Sequence, residues 1–241
     1  MDFPKFRDLF ASEEIYLRRV DLFKETDPRE GLPDDDYVRR AKGLQKYVLA
    51  DELEMNNDQA FNRQHSEGHF INCWQIFEGE MVEMWTTYGK GVAAFSTFGR
   101  LRAAIKDWLD PVNVGTVRYG KKEKGNLIEC LFTKHSHFLY KKELRVLLQC
   151  HDPMAGANRH YDIENIPYYE PLEENKMHDW VHPCKRRRID LRSLVTEIRM
   201  SPWASAAEVA EVWWWVKNKG RLCPIESSHL AIPRTPIPEM T

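Results

Sequence analysis

The chain has 241 residues, 42% of them hydrophobic and 30% charged, with 35 Lys and Arg against 37 Asp and Glu. That length can hold a sizeable core in one domain, and a formal charge of −2 supplies no global field that would draw the protein onto nucleic acid or an anionic membrane. No run of about 18 apolar residues occurs, and the opening Met1-Asp-Phe-Pro-Lys-Phe-Arg-Asp8 is charged where a signal peptide would be apolar, so a cytoplasmic protein with no membrane partner is expected.

In chain order, Ile15 to Val20 reads as an early strand running into a turn at Asp21-Leu22-Phe23. Asp27 to Pro33 carries prolines and a glycine that forbid regular structure. Pro33 with Asp34, Asp35 and Asp36 then suits a helix start, with Tyr37, Ala41, Leu44 and Val48 as its apolar face. Met81, Met84, Trp85 and Tyr88 have helical spacing, with Glu78 and Glu80 near the positive N-terminal end and Gly89 and Gly91 closing the helix. Gly91 to Thr97 is small and apolar enough for a buried strand. Leu101, Ile105, Trp108 and Leu109 follow as a helix that Pro111 stops.

Val114 to Tyr119 and Leu144 to Leu148 are further strand candidates, whereas Asp152 to Arg186 has little periodicity and reads as an irregular excursion. Leu194 to Met200 resembles a strand. Ser205-Ala-Ala-Glu208 is a capping box opening a helix that Gly220 ends. The expected fold is α+β, a single mixed, mostly antiparallel sheet with helices packed on it. One domain over residues 1–232 and a loose tail over 233–241 are expected.

The five cysteines, Cys73, Cys130, Cys150, Cys184 and Cys223, contain no Cys-x-x-Cys pair, so free thiols in a reducing compartment are expected. Cys73 reads as a buried, inert thiol. His178, His182 and Cys184 have a spacing that suits a metal only on a helix, which Pro183 opposes, and no metal is expected. Lys185-Arg186-Arg187-Arg188 is a basic run, read as a solvated loop edge. Trp213, Trp214 and Trp215 cannot all face one core on a helix, so one of them is free to meet a partner.

The strings Phe70-Ile-Asn-Cys-Trp74, Glu80-Met-Val-Glu-Met-Trp85 with Tyr88, and Gly91-Val-Ala-Ala-Phe-Ser-Thr97 together resemble a bacterial family, domain of unknown function 2971. Tyr16-Leu-Arg-Arg19 with Asp21, Asp27-Pro28, Glu30-Gly31, Gly115 to Tyr119, Lys134 with Phe138, Glu143-Leu-Arg145 and Ile189-Asp190-Leu191 extend the resemblance over most of the chain. It implies a single-domain bacterial or phage-borne protein, near components of abortive phage resistance, and supplies no reaction.

Arg19, then Ser96 with Thr97, then Glu143 resembles the motif order of ADP-ribosyltransferases, which implies NAD as substrate. Arginine presents a planar fork to a pyrophosphate, the Ser-Thr pair suits a ribose, and a fixed carboxylate stabilises the oxocarbenium-like state formed as nicotinamide leaves. The second acidic or amide residue that precedes the catalytic Glu in those enzymes is here Lys141, which puts acceptor transfer in doubt. Asn72, Trp74, Trp85, Tyr88, Lys134 and Arg145 are candidate ligand-binding residues around this set.

Each residue also has a plainer reading. Glu143 and Arg145 stand two apart on one strand face, where they can serve a structural charge network. Ser96 and Thr97 can cap the next helix, and Trp85 and Tyr88 can be core. The expectations are therefore an NAD-handling enzyme, transferase or glycohydrolase, acting as a phage-defence or toxin effector. The alternatives are a non-catalytic sensor module that binds a nucleotide or protein, and a nucleic-acid-directed toxin working through Lys134, Arg145 and the basic run.

Overall fold

The computed structural model describes residues 1–25, 27, 30–31, 68–76, 78–88, 91–120, 127–149, 159–161, 167–169, 183–220 and 223–230. In chain order these form α1 (Phe3–Ser12), β1 (Glu14–Arg19), a 3-10 turn (Val20–Glu25), β2 (His69–Gln75), α2 (Val82–Tyr88), β3 (Val92–Phe95), α3 (Phe98–Ile105), β4 (Val112–Thr116) and β5 (Arg118–Tyr119). Next come α4 (Leu127–Cys130), β6 (Thr133–Lys134), a second 3-10 turn (Ser136–Lys141), β7 (Glu143–Gln149), β8 (Arg159–Tyr161), β9 (Pro167–Tyr169) and β10 (Cys184–Arg188). The chain closes with α5 (Leu191–Leu194), β11 (Glu197–Met200), α6 (Ala206–Asn218) and β12 (Ile225–Ser227). The fold is α+β. Among the described residues no helix is long and apolar enough to cross a membrane.

The chain divides into two compact units built from interleaved segments. The first takes Met1–Tyr16, Phe77–Leu109 and Arg186–Thr241, and the second takes Leu17–Ile76 and Asp110–Lys185. The tail over 233–241 and the helix expected from Pro33 to Val48 lie outside the described residues.

In the first unit, β3, β11 and β12 form a sheet in the order β12-β11-β3, with β11 antiparallel to β3 and parallel to β12. α6 starts on the expected capping box, Ser205 receiving the Glu208 N–H while Glu208 reaches back to Ser205. It ends where Gly220 takes a left-handed φ of 62°. Val209, Val212 and Val216 face the core and Trp214 is 54% exposed, so the tryptophan left over from the helical face is the middle one.

α1 carries Phe3, Phe6 and Phe10 on one buried stripe behind an Asp2 cap. α3 stops at Ile105, short of the expected Leu109, whose side chain stands wholly in solvent. The chain leaves the helix at the Lys106 cap and turns through Asp107, before Pro111 is reached.

Gly91 does not close α2 but pairs with Asp2 in an antiparallel bridge, while Met1 and Val92 exchange backbone hydrogen bonds at 2.7 and 2.9 Å. A Cβ on Gly91 would lie 1.9 Å from the Met1 carbonyl oxygen. Gly91→Ala is therefore expected to cost about 1–3 kcal/mol, because backbone must move to admit the methyl. Urea unfolding measures it, and a change under about 0.5 kcal/mol, the size of an ordinary surface substitution, would show that this approach is loose.

In the second unit, β2 and β7 pair antiparallel along their full length, from His69 with Gln149 to Gln75 with Glu143. β4 lies on the far side of β7 and β1 on the far side of β2, giving the order β10-β1-β2-β7-β4. The Lys185 to Arg188 run is thus an edge strand rather than the expected loop edge, and charged edge strands discourage pairing with other chains. Within the region read as an irregular excursion, β8 and β9 pair antiparallel. The rest of that region, up to 182, lies outside the described residues.

Candidate functional site

Side chains alternate across a strand, so β7 sends Glu143, Arg145 and Leu147 to one face of the sheet and Leu144, Val146 and Leu148 to the other. On the first face, Leu147 joins Val20, Ile71, Cys130 and Leu131 in an apolar cluster. Two positions along, the same face changes to charge.

Arg145 is 1% exposed and Glu143 4%. The guanidinium reaches Glu143 Oε2 through Nε at 3.1 Å and through NH2 at 3.0 Å, and donates from NH1 to the Leu131 carbonyl. Lys134 on β6 donates to Glu143 Oε1 at 2.9 Å. Glu30, 1% exposed, completes the cluster, 2.7 Å from Arg145 and 3.2 Å from Lys134, as ion pairs rather than aligned hydrogen bonds.

Gly31 places Glu30 by adopting φ 66°, and a Cβ there would lie 2.4 Å from Val20 Cγ1. The Glu143 N–H donates to the Tyr119 hydroxyl at 2.7 Å, and the Lys134 ammonium lies 5.1 Å from the Phe138 ring centre. The cluster is two cations and two anions, closed by an aromatic ring.

Electrostatics follow from that closure. Burial pushes Glu143 up, but Arg145 and then Lys134 outweigh it and hold the carboxyl below its usual range. Burial would lower Lys134, and the facing carboxylates, Glu30 first, keep it raised instead. Glu143 is an ionised carboxylate with both oxygens occupied by cations, the arrangement of a structural strut.

The other expected site residues are distributed elsewhere. Arg18 pairs in register with Ile71 and Arg19 with Phe70, which puts Arg19 on the sheet face opposite Glu143. Arg19 there forks onto Asp21 at 2.5 and 2.9 Å. Asn72 and Trp74 share the Arg19 face, and the Trp74 indole N–H is buried without a hydrogen-bond acceptor.

Ser96 and Thr97 belong to the first unit. Ser96 Oγ donates to the Leu194 carbonyl at 2.6 Å, and Thr97 caps α3 by accepting from the Arg100 N–H at 3.3 Å. Trp85, also in the first unit, is 8% exposed and donates to Glu80 at 3.2 Å, which makes it core; Tyr88 is 40% exposed. Cys73 is exposed, contrary to the buried thiol expected, and its register partner on β7 is Arg145.

Two anchors were not expected from the sequence. Glu30 was visible only as part of a Glu-Gly turn, and nothing local marks its partner strand. Glu80, read as a helix-dipole residue, instead gathers the Trp85 indole, the Ser228 hydroxyl, the His229 N–H and Arg199. Among the described residues no group of three or more His, Cys, Asp or Glu has the arrangement of a metal site. Comparison with family models, with curated proteins and with solved structures finds no match to this chain.

Proposed function

We propose that this protein works by binding, as a non-catalytic module of a phage-defence or toxin system, rather than by cleaving NAD. The observation that carries this reading is the state of Glu143. The carboxylate on which NAD cleavage would depend is 4% exposed, with Lys134 on one oxygen and Arg145 on the other.

A carboxylate that stabilises a ribosyl cation must touch it. Arg19, the residue proposed for the pyrophosphate, faces the other side of the same sheet. The Ser96 and Thr97 hydroxyls hold the carbonyl of Leu194 and the start of α3. The bacterial defence setting rests on the resemblance to domain of unknown function 2971.

The test is to incubate the purified protein with NAD and follow nicotinamide by chromatography. No release above the protein-free control is expected. Release by the wild type that disappears in Glu143→Gln, with both proteins melting cooperatively, would overturn the binding reading and restore the enzymatic one.

A further inference from the structure

We propose that the first unit binds single-stranded nucleic acid across the surface where α3 and its C-terminal turn meet residues 188–194, an inference that rests on the binding reading above. Arg100 NH1 donates to the Ser193 carbonyl at 2.7 Å and the Trp108 indole to the Arg188 carbonyl at 3.1 Å, which joins the two segments. Together they bring Arg100, Arg188 and Arg192 to this contact, and α3 and its C-terminal turn carry Arg102 and Lys106, one helical turn apart, exposed beside it.

All five are exposed, and among the described residues none of them pairs with a carboxylate. The carboxylate between Arg188 and Arg192, Asp190, is engaged by the Arg192 N–H and the Ser193 hydroxyl at the cap of α5. Asp107 is the other acid in these segments. A chain with net charge −2 thus concentrates uncompensated cations here, which is the local footprint of a phosphate-binding surface.

An exposed aromatic ring decides between strand types. Phe98 at the start of α3, the helix that carries Arg100 and Arg102, is 55% exposed. Such a ring stacks on unpaired bases, which a duplex withholds. Lys134 and Arg145, first considered as nucleic-acid contacts, are internal and neutralised by Glu30 and Glu143.

The test is fluorescence anisotropy of the full chain with labelled twelve-nucleotide oligo-U and oligo-dT across a salt series. Contact with about five phosphates predicts roughly 100-fold weaker binding at 200 than at 50 mM salt. The triple variant Arg102→Ser, Lys106→Ser, Arg188→Ser removes side chains that make no hydrogen bond or ion pair among the described residues, and should reduce the log–log salt slope by about 2. Phe98→Ser should weaken binding about tenfold.

Binding of oligo-U and not oligo-dT, or of both, supports the proposal and identifies the source. Failure of the wild type to bind either at 50 mM salt, or an unchanged slope in the triple variant, overturns it. So does equal binding to vesicles of phosphatidylcholine with phosphatidylserine that is insensitive to Phe98→Ser. None of these outcomes bears on nicotinamide release, so the two readings fail separately.

Discussion

Arg145→Met is expected to destabilise the protein by about 3–5 kcal/mol at neutral pH, the cost of removing one partner from a buried charge cluster. Methionine fills most of the volume, so the loss is electrostatic. Glu143 and Glu30 would be left sharing Lys134 at 2.9 and 3.2 Å, with no cation on their other oxygens.

The pH dependence gives this prediction a second readout. In the wild type Glu143 titrates below its unfolded value, so its stabilisation is complete above about pH 4.3 and is lost as pH falls through the folded pKa. Removing Arg145 removes the first of the influences holding that pKa down and leaves the upward push of burial opposed by Lys134. The variant's deficit should therefore shrink on acidification from pH 7.5 to pH 5, because protonation discharges the stranded carboxylate. Urea unfolding at the two pH values measures both effects. A deficit below about 1 kcal/mol, or one that grows on acidification, would mean that the cluster is solvated and that Glu143 is open to other roles.

This reading also limits what mutagenesis can say about catalysis. Glu143→Ala removes an anion from between two buried cations, so lost activity in that variant would follow from lost structure as readily as from lost chemistry. The wild type's behaviour with NAD therefore carries more weight than the variant's inactivity.

Several elements were legible because their signals are local. The α6 capping box, the Met81 to Tyr88 periodicity and the alternation along β7 depend only on residues within a turn or two of one another. α1 carries signals that are equally local, with Asp2 as cap, Pro4 in the first turn and Phe3, Phe6 and Phe10 on one buried stripe.

What local signals could not supply was register. Glu143 and Arg19 look like members of one constellation in the linear order, and a sheet register two strands away decides that they face opposite sides. Likewise, Glu143 and Arg145 on one face fit a charge network from spacing alone. Its other half, Glu30 and Lys134, comes from a turn and a two-residue strand with no pattern to read. Thr97 follows the capping signal of its own position, whereas Ser96 bonds the carbonyl of Leu194, a partner that no local pattern names.

Glu80→Ala is the second large effect, with an expected loss of about 3–5 kcal/mol, because one carboxylate in the first unit organises four donors. Oε1 accepts from the His229 N–H at 2.9 Å and Arg199 NH1 at 3.1 Å, and Oε2 from the Trp85 indole at 3.2 Å and from Ser228 Oγ. Arg199, 8% exposed, would lose one of its carboxylate partners, with Glu197 and the Phe95 ring at 4.5 Å remaining beside it.

The damage should be directional. Ser228 and His229 immediately follow β12, whose pairing with β11 runs from Ile198 with Ile225 to Met200 with Ser227, so hydrogen exchange should accelerate there before it does in β7 of the second unit. Burial pushes Glu80 up, and Ser228, the His229 N–H, Trp85 and Arg199 together bring it below the usual range. Its contribution is then present above about pH 4.3 and disappears as pH falls through the folded value, so the gap between wild type and Glu80→Gln should narrow below about pH 4. Equal exchange in both strands, or a gap independent of pH, would mean that the C-terminal strand is held by its backbone pairing alone and that Glu80 is a bystander to it.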